Sequence, residues 1–165
     1  MNKLLAIYSL LFLINPIGFS FKILSIPDKN PQTINQKINF RSEDLMENII
    51  FSLKKTKTDL SFSLHSKNNN NVNLLTQTKE ANCIGYSNYY NAVLKKCLTQ
   101  NKINNIQIYR ARALVYCAGI NMHMFSNNPS FRDHDISLIK NLKTNEVYYV
   151  DSSLSEVFGD IIVKK

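Results

Sequence analysis

Three residue types in this chain can be combined into a reaction: a cysteine, Cys83, a histidine, His134, and an aspartate, Asp151. A thiolate is a nucleophile, an imidazole takes and returns protons near neutral pH, and a carboxylate holds that imidazole in one orientation. Such a set attacks a carbonyl and forms a thioester, which water or an amine then resolves. Cys83 owes its candidacy to its position. Asn82 precedes it and is a good N-cap, with a side-chain oxygen that accepts hydrogen bonds from the free N–H groups of a first turn. Cys83 is then the first helical residue, where the positive end of the helix dipole favours thiolate over thiol. Tyr86, Tyr90, Val93 and Cys97 follow in steps of four, three and four, which predicts a helix with one buried stripe. A cysteine near a helix start is commonly packing and nothing more, so its candidacy rests on partners elsewhere.

Those partners come from two alternating segments, 134–140 and 145–151, on either side of Asn141-Leu142-Lys143-Thr144. They read as a hairpin with a four-residue loop. Pairing Lys140 with Asn145 sets Leu138 against Val147, Ile136 against Tyr149, and His134 against Asp151. Imidazole and carboxylate are then directly opposite, with Cβ atoms roughly 5 Å apart. A one-residue slip would send them to opposite faces. The plain alternative is a His–Asp contact at a sheet edge, without chemistry. His123, between Met122 and Met124, is the rival base, and His65 stands alone. Asp133 and Asp135 flank His134 and either favour its charged form or are simply solvated. No C-x-x-C or H-x-x-x-H pair occurs, so the chain implies no metal and no cofactor.

Other elements must carry these residues. Ser42-Glu43-Asp44 starts a helix with Leu45, Ile49, Ile50 and Leu53 as its apolar face and Lys54, Lys55 and Lys57 near its negative end. Residues 106–116 alternate as a strand closed by Gly119. Residues 21–40 read as an extended lead-in with Pro27 and Pro31, 61–66 as a short strand, and 67–71 as an asparagine-rich loop. The tail holds a helical turn at 154–158 and a last strand at 161–163.

Taken together, these residues carry a resemblance. Cys83 at a helix start is followed by Gly85-Tyr86-Ser87-x-Tyr89-Tyr90. A strand then carries Ala111-Arg112-x-x-Val115, His134 opens the next strand, and Tyr148-Tyr149-Val150-Asp151 follows. Over roughly residues 77–155 this order resembles the transglutaminase-like family of the papain-like superfamily. Asp135 and Ile136 stand where that family usually has a small residue and tryptophan. The resemblance implies an α+β fold with the cysteine-bearing helix packed on an antiparallel sheet. It implies Cys83 as nucleophile, His134 as base and then acid, and Asp151 as the group holding the imidazole. Gln77, six residues before Cys83, has the spacing of the helper glutamine of papain-like enzymes, or is an ordinary polar loop residue. A protein or peptide substrate cleaved at an amide bond is the implied chemistry; a catalytically inactive binding or structural module is the alternative.

Composition sets the outer bounds. The chain has 165 residues, a net charge of +8, eight tyrosines and nine phenylalanines, ample for one packed domain. Its basic residues are mostly lysines scattered along the chain, which argues against a nucleic-acid partner. Residues 1–20 read as a signal peptide: Lys3, an apolar run over 4–14, and Gly18 and Ser20 as small residues before a cut after Ser20. An uncleaved anchor is the other reading of that run. With the leader removed, no stable membrane span remains, and residues 21–165 form a single secreted or periplasmic domain. In an oxidising compartment three cysteines leave one unpaired. A Cys97–Cys117 disulfide would leave Cys83 free.

Overall fold

A computed structural model describes residues 18–67, 71–125 and 132–165. Among them are four helices and a six-stranded antiparallel sheet. The helices are α1 (Leu45–Asp59), α2 (Val72–Thr78), α3 (Cys83–Gln100) and α4 (Ser155–Phe158). The strands are β1 (Phe19–Asp28), β2 (Ser61–Phe62), β3 (Glu80–Ala81), β4 (Ile106–Cys117), β5 (Ile120–Asn121), β6 (His134–Asn141), β7 (Val147–Val150) and β8 (Ile162–Lys164). The main sheet runs β1-β4-β6-β7-β8, with β5 paired to β4, while β2 and β3 form a separate parallel pair. No helix among the described residues is long and apolar enough to cross a membrane.

Asp44 starts α1 as expected, its carboxylate accepting the Glu47 N–H at 2.8 Å. The α3 helix departs from the expected single stripe: Tyr86, Tyr89, Tyr90, Ala92, Val93, Leu94 and Cys97 are all buried. It is enclosed on two sides. One side meets Ile34, Val72 and Leu75; the other meets Ile49 and Leu53 of α1 together with Ile108, Ile139 and Val150 of the sheet. A helix buried nearly all round has no polar face to give it amphipathic periodicity. The sequence reading left α2 unassigned, because two buried residues in seven show no period.

The hairpin has a four-residue loop, but shifted by one position to 142–145. Asn141 N–H donates to the Glu146 carbonyl at 2.9 Å, and Lys140 pairs with Val147, Leu138 with Tyr149. Two asparagines set this register. The Asn141 side chain accepts the Lys143 N–H at 2.9 Å and closes the turn, and Asn145 adopts φ 60°, which ends the extended run. The partner of each β6 residue therefore moves by two positions. A shift of two preserves the pleat, so His134 and Asp151 keep a common face although they are no longer opposite.

Residues 1–17 of the expected leader lie outside the described residues, but its last residues do not. The Gly18 carbonyl accepts the Ala118 N–H at 2.7 Å, and Phe19 is 8% exposed among Val115, Ile161 and Phe158. A cut after Ser20 would strip these contacts from the end of the sheet. A chain beginning at Phe21 is expected to be less stable than one beginning at Gly18 by about 3–5 kcal/mol, the usual cost of deleting a buried aromatic. Urea unfolding of the two chains checks this, and coincident midpoints would contradict it.

Candidate active site

The sulfur is placed by the strand before it and the cap beside it. Ser61 N–H donates to the Lys79 carbonyl and Ser63 N–H to that of Ala81, both at 2.8 Å, so the β2–β3 pair delivers the chain to Asn82 along a fixed path. The Asn82 side chain accepts from Ile84 N–H at 3.0 Å and Gly85 N–H at 3.3 Å, and its carbonyl accepts from Tyr86 N–H at 2.9 Å. The cap does not take the N–H of Cys83. Cys83 opens α3 as expected, half-buried and unbridged.

One turn on, Ser87 donates to the Asp135 carbonyl at 2.9 Å, tying α3 to the residue after His134. Tyr86 OH lies 3.0 Å from the Leu60 carbonyl and 2.5 Å from Glu156 Oε2, joining α4 to the same helix turn. Burial first, and then the Glu156 carboxylate, push the Tyr86 phenol far above its ordinary pKa, so it remains a donor.

His134 opens β6 with its side chain 14% exposed, and Asp151 follows β7 fully buried. His134 Nε2 lies 3.0 Å from Asp151 Oδ2 and 3.2 Å from Oδ1. Only Oδ1 is well aligned for hydrogen bonding; it also accepts from Leu154 N–H at 3.0 Å and Ser153 Oγ at 3.1 Å, while Oδ2 has no aligned donor. The backbone is held equally firmly, with Asp151 N–H on the Ile161 carbonyl and Ser155 Oγ bridging the Asp151 carbonyl to Ile161 N–H. Burial acts most strongly on His134 and lowers its pKa. The charge and hydrogen bond of Asp151 oppose this, the neighbouring Cys83 side chain acts in the same direction, and the net pKa is well above 6.5. His134 and Asp151 are therefore a bonded pair, and Cys83 lies near enough to act on the same ring.

The remaining expected residues fall elsewhere. Gln77 is on the exposed side of α2, and among the described residues no hydrogen bond joins it to Cys83 or His134. His123 Nε2 accepts the Val115 N–H at 3.1 Å, so this rival base serves the β4 backbone. His65 is exposed. Asp135 is not solvated: it is buried on the opposite face of β6 from His134, 2.6 Å from Arg110. Asp133 lies 3.5 Å from Arg112. The Cys97–Cys117 disulfide is not formed, and all three cysteines are free. Cys97 sits between α3 and α1, 3.9 Å from Ser52 Oγ, whereas Cys117 ends β4 beside Phe19 and Val115 in a different cluster. No group of three or more metal-ligating side chains occurs among the described residues.

Sequence reasoning missed Ser153, Ser87 and Ser155. An Asp-Ser-Ser run directly after a strand signals a side-chain-closed turn, which would have drawn attention to Ser153. Comparison with family models, curated proteins and solved structures finds no match.

A raised histidine pKa stabilises the fold fully below pH 6.5, and that contribution is lost as pH rises through the folded value. NMR titration of the His134 ring protons should give a midpoint above 6.5 in the native protein and a lower one in Asp151→Asn. The stability difference between the two proteins should shrink with rising pH. Equal midpoints would show that the carboxylate does not act on the ring.

Proposed function

We propose that this chain is a transglutaminase-like cysteine enzyme with a papain-like core, breaking amide bonds of a protein or peptide by acyl transfer to water or to an amine. One observation carries the reading: Cys83, at the start of a buried helix, neighbours His134 closely enough to help raise its pKa, and that ring is held by a fully buried carboxylate. Nε2 is committed to Asp151, so Nδ1 is the nitrogen that exchanges a proton with sulfur. The Cys83 sulfur, its proton held on Nδ1 of the charged ring, attacks the amide carbon. The tetrahedral oxyanion takes the Cys83 N–H, the first-turn donor that Asn82 leaves available. The ring then protonates the departing amine, leaving a thioester. In hydrolysis a water gives one proton to Nδ1 as its oxygen attacks the thioester; the carbon–sulfur bond breaks, the acid is released, and the sulfur is restored beside the protonated ring. With an amine in place of water the product is a new amide. The expected secreted or periplasmic location rests on the leader-like segment alone.

Iodoacetamide at neutral pH should label Cys83 about tenfold or more faster than glutathione, in line with a thiol activated by an adjacent base. His134→Ala should bring the rate down to that of a free thiol, and buried Cys97 should stay unlabelled. A native rate equal to glutathione, or one unchanged by His134→Ala, would favour a binding module over an enzyme.

A further inference from the structure

We propose that Ser153 is a positioning residue of this site, holding the Nε2 side of the His134 ring so that Nδ1 is presented to Cys83; this rests on the reading of Cys83 as nucleophile. Ser153 is 4% exposed, and its Oγ lies 3.1 Å from His134 Nε2 and 3.1 Å from Asp151 Oδ1. Two carboxylate oxygens stand within 3.2 Å of Nε2, and a bare lone pair there would face them with like polarity. Nε2 therefore carries a hydrogen. The hydroxyl has one proton, which goes to the carboxylate, so its lone pair receives the Nε2–H. The Nε2–H is shared between Asp151 Oδ1 and Ser153 Oγ, and the hydroxyl proton closes the third side of the triangle.

The serine is itself anchored. Its carbonyl accepts the Glu156 N–H at 3.2 Å, and the Leu154 N–H is bonded to Asp151 Oδ1, so the turn carrying the hydroxyl is tied to the carboxylate it serves. Ser153 is not a second nucleophile, because a side chain this buried offers no approach to a substrate. Rotating the ring breaks its bonds to both Asp151 and Ser153. Among the described residues the charged or ionisable groups acting on the ring are Asp151 and Cys83; Asp133 and Asp135 are turned to Arg112 and Arg110.

The test compares Ser153→Ala, Ser153→Thr and Ser153→Val, reading the His134 titration by NMR and the pH profile of Cys83 alkylation by iodoacetamide. Loss of the hydroxyl removes one hydrogen bond to a charged ring. The Ala and Val variants should therefore lower the His134 midpoint by about one pH unit and move the alkaline limb of the alkylation profile with it. The Thr variant keeps the hydroxyl and should match the native protein. Thr and Val have nearly the same shape, so that pair decides even where Ala does not fold; identical midpoints for the two would overturn the proposal. The two readings fail separately. Native Cys83 alkylating no faster than glutathione would sink the enzyme, while the Thr–Val difference in the ring titration would still report the hold of Ser153 on His134.

Discussion

The most demanding element of this structure is a carboxylate with no access to water. Asp151 is fully buried and its neighbour His134 nearly so. Removing a charged pair from solvent is costly unless hydrogen bonds replace the lost hydration. The segment after β7 supplies them, with Leu154 N–H, Ser153 Oγ and the imidazole all converging on Oδ1. The same turn fixes the Asp151 backbone through Ser155 and Ile161. The short helix α4 and the last strand thus serve the site directly: they are the frame that keeps a buried carboxylate solvated by protein.

A second constraint is the pleat of β6. Consecutive residues point to opposite faces, so His134 and Asp135 are separated although they adjoin in sequence. Asp135 is drawn to Arg110 on the face that meets α3, and His134 is left to Asp151 on the other. Two acid partners thus lie within reach of one short strand without competing. Ser87 uses the Asp135 carbonyl rather than its side chain, so the bond from helix to strand leaves the ion pair intact.

The cysteine helix ties these parts together. It is enclosed by α1 and α2 and by the sheet, so the position of its N-terminus is fixed by packing along its whole length. Close-packed interiors transmit such positions rigidly. Cys83 itself remains half-buried at the tip.

Local signals were enough to place most elements. Asp44 and Asn82 are caps that their own side chains define, and the alternation of 106–116 and of the hairpin arms is a period that any half-buried strand shows. The sequence alone thus determined the cysteine at a helix start and a histidine and aspartate on one face of a hairpin. Register escaped it, because Asn141 and Asn145 chose a loop one residue further on; the face was kept only because the resulting shift was even. Only tertiary structure decided that α3 is buried on two sides, that Cys97 and Cys117 belong to separate clusters, that Asp135 belongs to Arg110, and that Ser153 closes the triangle around His134. These depend on which surfaces meet across the fold. Contact between residues distant in the chain is set by packing, which leaves no period in the sequence to read.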